Sequence, residues 1–169
     1  MKIVLIGSPG SGKSTFAREF AKITGISVLH LDTLWHSTDY TKKAEAWFLD
    51  EQNRFMAENS SWLIDGGYFS CIHSRLEKAD QIILLKCSKY KRIYRIIRRS
   101  LAYKKDKTSR LDMAENFSEK FDKEYLEFLK FAWTYDNKIE SIIKEYKLKN
   151  IRVIENNIDK QEFFKELNI

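Results

Sequence analysis

The stretch KIVLIGSPGSGKST, Lys2 to Thr15, constrains the fold of this chain more than any other. It opens with an unbroken apolar, β-branched run that ends at Gly7. Such a run suits a strand buried on both faces, as in a parallel sheet. It continues as G-x-x-x-x-G-K-S and then takes up helical spacing, with Phe16, Phe20 and Ile23 on one face as far as Gly25. A phosphate-binding loop requires a strand before it and a helix after it. Its glycines let the backbone wrap so that successive N–H groups face one point, and the following helix adds its positive N-terminal end there. The residues expected to cradle ATP are Ser8, Pro9, Gly10, Ser11, Gly12, Lys13, Ser14 and Thr15. Lys13 brings a full charge to the β- and γ-phosphates, and Ser14 offers its hydroxyl to Mg²⁺.

The distribution of glycine and proline sharpens this. Of 6 Gly and 1 Pro, three Gly and the Pro lie between Gly7 and Gly12. Gly66 and Gly67 are adjacent, and neither residue type occurs after Gly67. Gly marks tight or unusual backbone, so two turns hold most of the special conformations and the remainder is expected to be largely helical. Strands are expected at Ser27–Asp32, Ser61–Gly67, Gln81–Cys87 and Asn150–Asn157. Helices are expected at Ala44–Glu58, Tyr90–Tyr103 and Ser118–Tyr146, the last with a break near Thr134, and a final helix from Lys160 capped by Asp159. Strands alternating with helices imply an α/β protein with a five-stranded parallel sheet and helices on both faces.

A chain of 169 residues fits one domain, here 1–169, and can bury roughly 70% of its unfolded surface. Residues 33–60 read as an insertion on the acceptor side, and 89–116 as a basic, lid-like segment. No apolar run approaches the ~20 residues of a membrane span, or the roughly 7–15 of a signal-peptide core. Cys71 and Cys87 form neither metal spacing nor a disulfide framework, which favours a reducing, cytoplasmic setting.

The net charge of +6 is not evenly spread. From Lys86 to Arg110 there are 11 Lys and Arg against one acid, Asp106, leaving 19 basic and 23 acidic residues elsewhere. Arg92, Arg95 and Arg99 fall on one helical face, and Arg110 follows a polar stretch. Arginines on a closing lid stabilise charge during phosphoryl transfer and help exclude water. The rival reading of the same cluster is a nucleic-acid patch.

Two aspartates complete the candidate set. Asp65 ends the run Trp62-Leu63-Ile64 before Gly66-Gly67, at the strand edge where ligands bind in open α/β sheets, and is the expected second Mg²⁺ ligand. Asp32 ends HLD at the second strand and is placed to take a proton from an acceptor hydroxyl, or else to cap a helix. His30 reads as a packed strand residue, and His36 as a possible substrate contact.

These segments, taken in order, resemble the adenylate-kinase-related "DNA topology modulation protein" family. The matching text is GSPGSGKSTFAREFAKITGI, VLHLDTLW, WLIDGGY, RLEKADQIILL, RIYRIIRR, SRLDM and EKFDKEYLEFLKFAW. The resemblance implies a nucleoside-monophosphate-kinase-like fold with ATP and Mg²⁺ as cofactors and a small-molecule acceptor. It implies an acceptor contact for Arg75 and lid roles for Arg95, Arg99 and Arg110. Gly67 stands where the family pattern has Asn, and an arginine expected near Ser70 is absent. The resulting expectation is an ATP-dependent kinase of unidentified acceptor; the alternative is an ATP-binding, DNA-associated regulator that uses the basic segment.

Overall fold

A computed structural model describes residues 1–105 and 121–167. Five parallel strands, β1 (Lys2–Gly7), β2 (Ser27–His30), β3 (Trp62–Asp65), β4 (Gln81–Leu85) and β5 (Ile151–Ile154), form one sheet in the order β2-β3-β1-β4-β5. Strand β1 is central, and Ile3, Val4, Leu5 and Ile6 are fully buried. Side chains alternate across a strand. Val4 and Ile6 therefore join Trp62, Ile64, Ile82 and Leu84 in a core on one face, while Ile3 and Leu5 join Leu63, Ile83 and Leu85 in a core on the other.

The second face is covered by α1 (Lys13–Thr24) and α7 (Asn157–Glu166). Phe16, Phe20 and Phe163 interlock there, with ring centroids 5.6–6.5 Å apart. The first face is covered by α2 (Leu31–His36), α3 (Lys42–Glu58), α4 (His73–Leu76) and the C-terminal half of α6 (Lys123–Glu145). Helix α5 (Lys89–Lys105) packs on the N-terminal half of α6, where Ile96, Tyr125 and Ala132 form a small third core.

The long apolar stripe of α6 thus serves two partners. Tyr135, Ile139 and Ile142 lie on the sheet core, and Tyr125 and Ala132 lie against α5. The helix does not break near Thr134. That hydroxyl donates to the Lys130 carbonyl at 3.0 Å, a bond made within the helix, so it sets up no competing turn.

Strand ends differ from the sequence expectation in one direction. β2 stops at His30, so Asp32 lies in the first turn of α2 and caps nothing. β3 stops at Asp65 and β5 at Ile154. The cap of α7 is Asn156, whose side chain accepts from Ile158 and Asp159 N–H groups, and Asp159 instead accepts from Glu155 N–H at 2.8 Å. That bond holds the Asp159 carboxyl below its usual range. A 3₁₀ turn at Phe69–Cys71 and the short helices α2 and α4 had no periodic signal long enough to read. Among the described residues, no helix is long and apolar enough to cross a membrane.

Candidate phosphoryl-transfer site

The loop between β1 and α1 opens into a cleft of about 2050 Å³. Gly10 and Gly12 hold φ of 76° and 104°, values that side chains disfavour. Gly10 is also pressed against α5: a Cβ there would stand 2.7 Å from the Arg92 carbonyl oxygen. Above Gly12 the space is open. No side chain caps α1 at Gly12, and Gly12, Lys13, Ser14 and Thr15 line the cleft. The loop is closed on itself by Ser11 N–H donating to Ser8 O at 3.1 Å. The Lys13 ammonium donates to the same carbonyl at 3.2 Å, folded back over the loop. Pro9, Gly10 and Ser11 line the cleft, while Ser8 is buried beneath it.

The sheet register brings Asp65 beside both Leu5 of β1 and His30 of β2. His30 Nδ1–H donates to Asp65 Oδ2 at 2.9 Å. Asp65 Oδ1 is buried with no protein partner. A second-strand histidine expected merely to pack is therefore what orients this carboxylate. Asp32 lines the cleft and accepts from the Tyr68 hydroxyl. Burial and then the Asp32 charge push the Tyr68 phenol far up, so it stays a neutral donor. Tyr68 holds φ 37°, a strained value for an aromatic residue, directly after Gly66-Gly67.

The arginines separate into two groups. Arg95 and Arg99 line the cleft. Arg95 Nη1 donates to Gly10 O and Ser11 O at 3.3 and 3.4 Å, and Arg99 Nε is buried without a partner. Arg92, on the same expected face, is instead buried between α5 and α6. It donates to Cys87 O, to Ala132 O at 3.0 Å and to Asp136 at 2.5 Å. Arg75 is fully buried behind the Gly66-Gly67 turn and does not line the cleft. Its fork donates to Gln52 Oε1 at 2.6 Å, Gly66 O at 3.1 Å and Gly67 O, and burial pulls its pKa down. Arg110 lies outside the described residues.

Sequence reading missed Gln52 as the partner of Arg75, Tyr68 as the partner of Asp32, and the cleft residues Phe128, Phe131 and Tyr135 of α6. The position of Tyr68, following two glycines after an apolar strand, was the one available signal. Among the described residues, no group of three or more His, Cys, Asp or Glu could hold a metal. Ser14 lines the cleft, whereas Asp65 is buried at the end of β3 and does not line it; Ser14 Oγ and the unpartnered Asp65 Oδ1 are oxygen donors of the kind Mg²⁺ uses when phosphate and water complete its shell.

No protein-family profile matches the chain, and no curated protein matches it. Solved structures do. A deoxyadenosine kinase from M. mycoides with products dCMP and a flexible dCDP bound aligns over 99% of this chain and 98% of its own, with a TM-score of 0.55 and 17% identity. The deoxyadenosine kinase from M. mycoides with bound dATP aligns over 100% of both chains, with a TM-score of 0.52 and 17% identity. Likeness at this identity concerns the fold: the chain has a P-loop, nucleotide-kinase-like α/β architecture.

Proposed function

We propose that the chain is an ATP-dependent phosphotransferase that moves the γ-phosphoryl group to a hydroxyl of a small acceptor. The observation that carries this is the convergence of the Gly10–Thr15 loop, Asp32, Arg95 and Arg99 on one cleft. The loop amides and Lys13 grip the triphosphate, with Lys13 leaving the Ser8 carbonyl to do so. Arg95 and Arg99 lie where charge gathers on the transferred group, and one such arginine is worth roughly 10³–10⁵ in rate. Asp32 accepts the acceptor's hydroxyl proton, held in place by Tyr68. Ser14 and Asp65 would hold Mg²⁺, which when bound shields the β- and γ-phosphate charge. The M. mycoides enzymes, named as kinases and holding nucleotides, support the same reading.

Kinship with the DNA topology modulation family remains part of this proposal, resting on the ordered motifs. Of the arginines that α5 would offer a phosphodiester backbone, Arg92 is buried and Arg95 bonds the loop, so the kinase reading is the one we adopt. Lys13→Ala is expected to abolish ATP-dependent phosphorylation while the fold, read by circular dichroism, is kept. Full activity in that variant would end the proposal.

A further inference from the structure

Among the described residues, the buried hydroxyls that donate to nothing are those of Ser8, Ser11 and Tyr135. Ser8 and Ser11 belong to the phosphate loop itself. The third hydroxyl comes from α6 and reaches the same place. Tyr135 is only 3% exposed, yet it lines the cleft. The Gly7 N–H approaches its oxygen, and a Cβ on Gly67 would stand 3.6 Å from that oxygen. Gly7 opens the loop, and Gly67 directly precedes Tyr68, the partner of Asp32. The Tyr135 hydroxyl therefore stands between the phosphate loop and the turn that serves the acceptor side.

Its aim is fixed by packing. The ring lies 5.7 Å from Phe69 and meets Phe131 edge-on at 5.6 Å. Arg92 of α5 holds both the Ala132 carbonyl and the Asp136 carboxylate, so α6 is pinned on either side of Tyr135. Burial pushes the phenol far above its ordinary range, against the opposing pull of the Gly7 N–H, Arg75 and Arg92. The hydroxyl keeps its proton and so remains a donor. A buried donor without an acceptor costs stability, and native proteins keep few of them. Other tyrosine hydroxyls on the cleft are already spent: Tyr125 donates to Ser100 Oγ at 3.0 Å, and Tyr68 donates to Asp32. A rigid, neutral donor at the mouth of a phosphate loop suits an anionic oxygen, because hydrogen bonds to charged groups are the stronger ones.

We propose that Tyr135 is a catalytic residue whose hydroxyl donates to a non-bridging oxygen of the γ-phosphoryl group in transfer. This inference rests on the kinase reading above and adds to it a donor from outside the loop and the basic helix. In the transfer, the acceptor oxygen forms a bond to the γ-phosphorus as the bond from that phosphorus to the bridging β,γ-oxygen breaks. ADP leaves with the electron pair, and the acceptor's proton passes to Asp32. Tyr135 keeps its own proton and contributes only the hydrogen bond, in place before charge shifts on the phosphoryl oxygens.

The test compares the full chain with its Tyr135→Phe variant, which keeps the ring contacts and removes the hydroxyl alone. Calorimetry in Mg²⁺ measures Kd for ATP, for ADP, and for ADP with beryllium fluoride as a stand-in for the γ-phosphoryl group. The variant is expected to hold ADP within about twofold of the parent and to bind ATP and ADP with beryllium fluoride at least ~10-fold more weakly. Its Tm without nucleotide is expected to equal or exceed that of the parent, since no bond is lost. Tyr125→Phe, which breaks the bond to Ser100, is expected to lower Tm and gives the comparison. Unchanged ATP affinity in Tyr135→Phe overturns the inference, as does an equal loss for ADP and ATP. A nucleotide-free Tm that falls as in Tyr125→Phe overturns it too, because the hydroxyl would then serve the fold. A parent protein that binds neither ATP nor ADP overturns the kinase reading itself.

Discussion

Replacing Gly10 with Ala separates two effects that glycine usually confounds. At φ 76° an L side chain carries a conformational cost of about 1–2 kcal/mol. Gly12→Ala, at φ 104°, carries a cost of the same kind but meets nothing within 4 Å. At Gly10 the new methyl also stands 2.7 Å from the Arg92 carbonyl oxygen and 3.2 Å from Ile96. That oxygen is helix backbone, and the Arg92 side chain anchors it to α6, so it cannot swing away. Overpacking of this sort adds about 1–3 kcal/mol. Gly10→Ala should therefore cost about 3 kcal/mol in all, and Gly12→Ala about 1.5 kcal/mol. For a chain of this length these correspond to falls in Tm of about 6–12 °C and about 3–6 °C. Differential scanning calorimetry on both variants provides the comparison. If the two melt together, α5 does not bear on the loop and the reasoning fails.

Other substitutions probe other contacts. Arg92→Met strips donors from two buried carbonyls and leaves Asp136 unpaired; because that carboxylate is half in water, the loss should be about 3 kcal/mol in urea unfolding, the low end for a broken buried pair. Arg98→Met on the exposed face of the same helix should stay within about 0.5 kcal/mol. Asn156→Ala removes the α7 cap and should cost about 1 kcal/mol by the same measurement. Arg95→Ala is expected to lower turnover much more than ATP affinity; equal losses in steady-state kinetics and calorimetry would leave it a binding role only.

Most of the architecture was legible because its signals are local. The β1 run, the loop glycines and the apolar stripes of α1, α3 and α5 each fix their own element. The stripe of α6 fixed a helix but not its two partners, since Tyr125 and Tyr135 look alike along the chain and are sorted only by what packs on them. The arginines show the limit most clearly. Spacing placed Arg92 with Arg95 and Arg99, yet a neighbour 44 residues away, Asp136, turns Arg92 inward. Likewise Arg75 reads as a free cation until Gln52, 23 residues before it, takes up its fork. The pairs that shape the cleft are joined by tertiary packing and leave no periodicity to read.

The sheet order carries a consequence for how such a protein can change over time. The loop grows out of β1, which is clamped between β3 and β4, whereas Asp32 follows β2, a part-exposed edge strand that pairs, among the described residues, only with β3. Edits along that outer flank disturb few neighbours, while edits beneath the loop disturb both cores. A lineage built on this frame can exchange one acceptor for another at its rim and inherit the donor grip unaltered.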